Sequence, residues 1–269
     1  MRELLTPKSG NMIRLLFSLG FIIALAFALA NCQKDPPDQP NEPYINSYCD
    51  SLEAAGIFDN YIFPVGYDAH FQIPNESIIQ MCTHGLVETV FKWRFLKSIT
   101  FYTSYQSWWI TNTQPIAFNG IKELAKRLNG PNKVYNRFME FDEYPYSDTI
   151  TSYTVMKDIE TRLTFMEVFL AQEDIMNRLS DSEKRSMGLK AKEIWILIDS
   201  YDTIDFSILP YSTCFLAARI MYFDKYQPFL DKVDTIPGLA SFIKWGDTFK
   251  YGVSREPTWN SFTNYLIDR

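Results

Sequence analysis

Apolar residues recur at helical spacing along most of the chain beyond residue 45, and polar or proline-containing stretches separate the apolar runs. In residues 154–178 the apolar side chains return at the spacing of one helix face, whereas residues 213–224 are nearly all apolar. The first pattern is typical of an amphipathic helix and the second of a helix buried on all sides. Both segments are therefore predicted to be helices, with residues 213–224 at the centre of the fold.

Further helices are predicted wherever the same spacing returns between stop signals. They cover residues 46–55, 75–91, 115–128, 132–141, 180–199, 239–248 and 258–268, with a helix or ordered turn over 95–102. Ser180 and Glu183 match a capping box, and the short link between the two long helices predicts an αα-hairpin. Since no strand alternation runs longer than four or five residues, the chain is predicted to be all-α. It should form one domain over residues 46–269, an irregular bundle of αα-hairpins with about eight or nine helices.

The start of the chain has a different pattern. Basic residues precede a mostly apolar run over residues 15–30, and small residues lead up to Cys32. This order is typical of a secretory signal peptide. The stretch Leu29-Ala30-Asn31-Cys32 resembles the lipobox of bacterial lipoproteins, although Gly, Ala or Ser is usual at the place of Asn31. The resemblance implies a signal peptide over residues 1–31 and lipidation of Cys32. A plain signal peptide or an uncleaved anchor is the alternative.

Residues 32–45 are predicted to form a tether between the lipid and the helical domain. Four prolines and no large apolar side chain occur in residues 33–43, which favours an extended chain. Gln33-Lys34-Asp35 resembles the signal by which one Gram-negative phylum exports lipoproteins to the outer face of the outer membrane. That resemblance implies a lipid-anchored outer-membrane protein facing the cell surface, with the periplasmic face as the alternative.

The predicted mature chain is acidic. Removing residues 1–31 takes three basic residues and one acidic residue from the 26 and 32 of the whole chain, so the formal net charge changes from −6 to −8. A nucleic-acid groove requires clustered Lys and Arg, and no basic run occurs. Nucleic acid is therefore not an expected partner. The membrane is expected to hold the protein through acyl chains on Cys32, not through surface charge.

Three cysteines remain after Cys32, namely Cys49, Cys82 and Cys214. An exported protein meets an oxidising compartment, in which one disulfide is allowed and one thiol is left over. Each cysteine lies in a predicted helix, where a buried free thiol is common. Three unpaired cysteines are therefore expected, with one disulfide as the alternative. No Cys-x-x-Cys occurs, so neither a redox pair nor a zinc site is predicted.

Few residues are candidates for catalysis. His84 and Glu88 are four positions apart and share a helix face, whereas His70 lies in a predicted loop. Ser241-Phe242-Ile243-Lys244 fits the Ser-x-x-Lys pattern of penicillin-binding enzymes without its companion motifs. Carboxylates of the kind that a glycosidase uses occur at Glu140, Asp142, Glu143, Glu173 and Asp174. Solvated or ion-paired side chains explain all of these more simply, so no catalytic residue, cofactor or metal is predicted.

A cluster of aromatic residues, Tyr102, Tyr105, Trp108 and Trp109, is the candidate ligand-binding patch. Exposed Trp and Tyr rings stack on sugars and on peptide partners. Filling of the core is the alternative for such rings. An exposed patch with both tryptophans would support a binding role, and burial of both would remove that support.

Asp-Thr-Ile occurs three times, at Thr149, Thr203 and Thr235, each in a predicted loop. The pattern resembles the O-glycosylation acceptor that the same phylum uses on exported proteins. The resemblance implies that these three threonines are candidate glycosylation sites. An ordinary helix N-cap is the alternative explanation for Asp-Thr before a helix.

Four stretches of the body, residues 77–82, 114–124, 165–173 and 226–230, together resemble an uncharacterised all-helical family of secreted and lipid-anchored bacterial proteins. The resemblance covers residues 75–240 and implies fold and location but no activity. With the anchor and the tether, it favours a non-enzymatic surface module that binds a protein or a glycan, or an accessory subunit. An envelope-anchored hydrolase of glycan or peptide, and a structural or envelope-assembly component, are the alternatives.

Overall fold

The computed structural model describes Cys49 and residues 59–142, 152–199, 209–247 and 255–268. Within these ranges the chain forms twelve α-helices, one 3-10 helix and an isolated bridge, and no strand. The elements are α1 Asn75–Gln80, α2 Thr83–Lys92, the 3-10 helix η1 Leu96–Phe101, α3 Tyr105–Asn112, α4 Asn119–Lys126, α5 Gly130–Met139, α6 Tyr153–Leu170, α7 Glu173–Met176, α8 Asp181–Asp199, α9 Leu209–Phe223, α10 Gln227–Val233, α11 Leu239–Trp245 and α12 Arg255–Asp268. The all-α prediction is confirmed.

More helices form than predicted, because two predicted helices are interrupted and because two of the observed helices, α3 and α10, were not predicted. The helix predicted over residues 75–91 divides at Met81 and Cys82, whose extended backbone separates α1 from α2. Arg127 Nη1 donates a hydrogen bond to the Met81 carbonyl at this break, at 2.6 Å. The long helix predicted over residues 154–178 likewise divides into α6 and the short α7. Helix α10, which begins with a proline in its first turn, was not predicted.

Helix α9 lies at the centre of the core, as predicted. Residues 212–221 of α9 are all buried, and the helix packs against α6, α8 and α12. The two long helices α6 and α8 were predicted to pack against each other as an αα-hairpin. Each packs most extensively against α9 instead. The capping box at the start of α8 is confirmed. The Ser180 N–H donates to Glu183 Oε2 at 2.7 Å, and the Glu183 N–H donates to Ser180 Oγ at 3.2 Å.

The expectation of three unpaired cysteines is wrong. Cys49 and Cys82 form a disulfide across a separation of 33 residues, and Cys214 is a buried free thiol. Cys82 lies at the break between α1 and α2, not inside one continuous helix, so the reasoning from helical position does not hold for it. The bond joins the start of the helical unit to its second helix and restricts the unfolded chain.

The predicted signal peptide, residues 1–31, and the tether over residues 32–45 lie outside the described residues, and so does Cys32. Residues Cys49–Arg269 form one compact unit. In the part of the chain that the structure describes, no helix combines the length and the apolar character needed to cross a bilayer. The lipid anchor stays a prediction.

Candidate functional site

The aromatic cluster predicted as a ligand-binding patch lies mostly in the core. Tyr105, Trp108 and Trp109 are at most 8% exposed, and both tryptophan rings pack edge-on against phenylalanines of α6. The expectation of an exposed aromatic patch is therefore wrong, because these rings fill the contact between α3 and α6. Tyr102 alone is half-buried, and it lines a small cavity together with His70.

A cleft of about 550 Å³ opens between α3, α7, α9, α10 and α11. Most of its wall is apolar or aromatic: Ile110, Tyr222, Phe223, Val233, Ala240, Ile243 and Trp245. Its remaining lining residues are polar or charged: Gln106, Glu173, Arg219 and Lys244. Small-molecule sites are concave, mainly apolar and of about 300–1,000 Å³, with a few polar groups that orient the ligand. This cleft has that composition and that size.

Contacts to the start of α3 fix the position of α11 beside the cleft. Gly238, with φ of 83°, precedes α11, and Gly246, with φ of 61°, follows it. A side chain at Gly246 would meet the Tyr105 ring at 2.8 Å, so α3 and α11 approach closely only because this residue is glycine. Ser104 Oγ accepts a backbone N–H of α3 and donates to the Trp245 carbonyl at 2.6 Å. Contacts between the start of α3 and the end of α11 therefore fix the position of this side of the cleft.

Arg219 is the buried cation of the cleft, with 7% of its surface exposed. Its guanidinium carbon lies 4.7 Å from the ring centroid of Phe223 and 5.3 Å from that of Phe215, at cation–π distance. Nη1 donates to the Ile243 carbonyl at 3.0 Å, in the last turn of α11, where carbonyls lack helical partners. Burial lowers the pKa of Arg219 to about 10, although the charge of Glu173 opposes that shift. The side chain is therefore a cation at neutral pH.

Two polar atoms of this cleft have no hydrogen-bond partner within the described ranges. They are Arg219 Nε and Gln106 Oε1, and both are shielded from solvent. The Arg219 guanidinium also forms no ion pair with a described carboxylate. Leaving a buried polar group unpaired costs about 1–3 kcal/mol. Other buried atoms without partners lie elsewhere in the core, but these two line one cleft, where a ligand can reach the side chains that carry them.

No family model, curated protein or solved structure matches this chain. The likeness of the body to a family of helical envelope proteins therefore stays a prediction.

The two histidines line separate small cavities. His84 and Glu88 share one face of α2, as predicted, and border a cavity of about 230 Å³ with Arg137 and Glu140. Arg137 Nε lies 3.5 Å from Glu88 Oε1, so this carboxylate is part of an ion pair. His70 borders a cavity of about 270 Å³, where its imidazole is not hydrogen-bonded to a described hydroxyl or carboxylate. Among the described residues, no group of three or more His, Cys, Asp or Glu is placed to hold a metal ion.

A second buried ionisable group lies between α6 and α9, away from the cleft. Glu167 is fully buried, and Ser212 Oγ donates a hydrogen bond to its Oε2. Burial raises the pKa of Glu167 to about 8, and hydrogen bonds from Ser212 and Thr213, which favour the charged form, offset only part of this shift. Burial also raises the pKa of Tyr105, and the charge of Glu167 adds to that shift. Glu160, on the same face of α6, is 2% exposed, and burial raises its pKa as well.

The three candidate glycosylation sites are only partly described. Thr235 is exposed in the turn after α10, where its Oγ1 donates to the Lys232 carbonyl at 3.1 Å. Thr149 and Thr203 lie outside the described residues. Glycosylation stays a prediction at all three positions.

Sequence reasoning missed Arg219, Gln106 and Glu167. A signal for two of them was present, because a single charged residue within an otherwise apolar helical run is rare unless it is paired or functional. Arg219 is the only charged residue in residues 212–222, and Glu167 is the only one in residues 163–172. Gln106 has no such signal, since a glutamine on a helix is common.

Proposed function

We propose that this chain is a lipid-anchored protein of the bacterial cell envelope that acts as a binding module, and that the cleft between α3, α9 and α11 is its binding site. The anchor rests on the sequence pattern of residues 1–31 and on Cys32. A location in the outer membrane, facing the cell surface, rests on the tether over residues 32–45 and its export-like start. The binding role rests on the cleft.

The observation that carries the binding role is the coincidence of two unpaired buried polar atoms in one apolar cleft. Arg219 Nε belongs to α9 and Gln106 Oε1 to α3, helices that the core holds rigidly through Tyr105, Phe215 and their neighbours. Rigid placement of polar groups limits the ordering cost of binding. A ligand that pairs with these side chains would recover the free energy that their burial costs.

The charged groups of the cleft favour binding over proton transfer. A guanidinium stays protonated at neutral pH and offers only donors. Arg219 can therefore hold and orient a ligand but cannot act as a general base. Glu173, the only carboxylate among the described lining residues, is exposed, and solvent access favours an ordinary surface role.

Filling the cleft tests the proposed site. Ala240 lines the cleft and is exposed to it, so Ala240→Phe should occupy the space without disturbing the core. Ile267→Phe is the matched control, because Ile267 is 75% exposed on α12, away from the cleft. Saturation-transfer NMR with a panel of small apolar acids, amides and amines should detect ligands that bind the wild type and Ile267→Phe but no longer bind Ala240→Phe. Equal binding to Ala240→Phe would contradict the proposed site.

Protease treatment of intact cells tests the proposed location. The full-length protein should disappear from intact cells, and Cys32→Ala should fail to incorporate labelled palmitate because it lacks the thiol that carries the lipid. Protection until the outer membrane is opened would contradict the surface orientation and place the protein on the periplasmic face. Incorporation of labelled palmitate by Cys32→Ala at the wild-type level would contradict the lipid anchor.

A further inference from the structure

We infer that the ligand of the cleft is a small organic carboxylate with an apolar body, whose carboxylate binds the Arg219 guanidinium. The inference rests on the proposed function and narrows it to one chemical class. It follows from the charge of the cleft, from the free donors of Arg219 and from the apolar wall.

The cleft is locally positive on an acidic protein. Among the described lining residues Arg219 and Lys244 are the two cations and Glu173 is the one anion, whereas the whole chain has a formal net charge of −6. Glu173 acts on Arg219 only through space, since the two do not form an ion pair in the described structure. Lys244 Nζ lies at the rim, 5.2 Å from the Trp245 ring centroid. An anionic ligand would balance this charge.

Arg219 has more donors than its neighbours use. A guanidinium carries five N–H donors in a planar fork that matches a carboxylate. Among the described residues only the Ile243 carbonyl accepts one of them. Phe215 and Phe223 flank the guanidinium and exclude water from it, and charge-assisted hydrogen bonds are stronger in such surroundings than in water. The amide of Gln106 is available to a second polar group of the ligand.

The rest of the wall suits an apolar body. Ile110, Val233, Ala240 and Ile243 supply aliphatic surface. Trp245 is 38% exposed at the rim, where an indole ring can stack on a flat ligand. Aromatic acids and medium-chain fatty acids both combine a carboxylate with an apolar body, and matched probes of each kind distinguish them.

Arg219 also has a structural contact, because it caps a carbonyl at the end of α11. A purely structural role would change the affinity for acidic and neutral ligands alike. The ratio of the two affinities is therefore the informative quantity, since only direct pairing with a carboxylate makes it depend on Arg219.

The test is isothermal titration with matched acidic and neutral probes. Naphthalene-1-acetate and its amide represent aromatic bodies, and octanoate and octanamide represent aliphatic ones. The wild type should bind the acid of at least one pair about tenfold more tightly than the amide, or better, as expected for a hydrogen bond to a charged group. Arg219→Gln should bring that ratio close to one, whereas the control Arg185→Gln on α8 should preserve it. The probe pair with the larger ratio of acid to amide affinity shows whether the apolar body of the ligand is aromatic or aliphatic.

Three results would overturn the inference. If acid and amide bind equally well and Ala240→Phe blocks both, the cleft is a binding site but not one for carboxylates. If the acid preference persists in Arg219→Gln, another cation binds the carboxylate. If no probe binds the wild type, both the inference and the proposed cleft are contradicted. Should Arg219→Gln fail to fold, Arg219→Lys, which keeps the charge but not the planar fork, should lower the ratio, and an unchanged ratio in that variant would contradict the inference.

Discussion

Helix α9 contributes to two buried polar regions, one around Glu167 and one around Arg219, and burial affects the charge of these two residues differently. Near its start, Ser212 contacts Glu167 inside the core, and about two turns later Arg219 lines the cleft. A buried carboxyl can take up a proton, and burial raises the pKa of Glu167 to about 8. Burial lowers the pKa of Arg219 only to about 10, so the guanidinium stays charged at neutral pH. The core therefore holds Glu167 as a neutral group, while Arg219 is left to pair with an anion from outside.

The contrast separates a structural use of burial from a functional one. Glu167 lies among hydroxyls of its own fold, so its removal should reduce stability. Arg219 lies at a surface that the fold leaves open, where a residue suited to a ligand is often poorly suited to stability. The same replacement, methionine, can test both residues because it removes the polar atoms and keeps an unbranched apolar chain, which is close to Glu167 in length and shorter than Arg219.

The largest effect is expected for Glu167→Met. This variant deprives Ser212 and Thr213 of the carboxyl that they contact, and the free energy of unfolding should decrease by about 2–4 kcal/mol. Urea unfolding near neutral pH measures the change. Glu76→Met, at an exposed position of α1, should change stability by less than about 0.5 kcal/mol. A loss of similar size in both variants would mean that the polar cluster contributes no specific stability.

A change of pH is expected to have an intermediate effect on the free energy of unfolding. The pKa of Glu167 is raised in the folded state, from 4.5 to about 8, so between these values the folded state binds a proton that the unfolded state has lost. The stability due to this residue is complete below pH 4.5, decreases as pH rises, and is lost as pH passes the folded value. Relative to Glu167→Gln, the wild type should therefore lose on the order of 2 kcal/mol between about pH 5 and about pH 8.

The measurement is the difference in unfolding free energy between the wild type and Glu167→Gln across that pH range. Glu76→Gln, which removes an exposed carboxylate, is the control and should show no such trend. A difference that stays constant with pH would show that Glu167 is already ionised in the folded protein.

The smallest effect on stability is expected for Arg219→Met. The variant loses the hydrogen bond to the Ile243 carbonyl but also removes a desolvated cation that forms no ion pair with a described carboxylate. These terms oppose each other, so the free energy of unfolding should change by less than about 1 kcal/mol. Urea unfolding of this variant beside Glu167→Met measures the contrast. A loss of more than about 2 kcal/mol would show that Arg219 acts chiefly as a clamp between α9 and α11.

The parts of the fold that the sequence predicts are those set by local chemistry. The periodicity of α6 and the apolar run of α9 are local, and so is the capping box of Ser180 and Glu183. The helix breaks are not, because contacts from distant residues stabilise them, as Arg127 does at Met81. Helical periodicity alone therefore predicts the helices but not the positions at which they are interrupted.

The candidate site was beyond local reasoning for a similar reason. The exposure of Trp108 and Trp109 depends on whether α6 covers α3, and no spacing within residues 102–109 encodes that contact. The cleft joins Gln106 to Arg219, which are far apart in sequence. In the sequence, only the isolated charge of Arg219 within an apolar run indicates a functional site here.

The most direct test of the central claim is the NMR signal of the Arg219 Nε–H group, assigned by its absence in Arg219→Lys. Titration of the isotope-labelled protein with the better-binding acid, naphthalene-1-acetate or octanoate, should move this signal progressively to saturation, because the buried Nε–H lies in the guanidinium that pairs with the carboxylate. The matching amide should move it little. An unchanged signal at saturating acid, or equal movement with the amide, would contradict the assignment of Arg219 as the anchor of a carboxylate ligand.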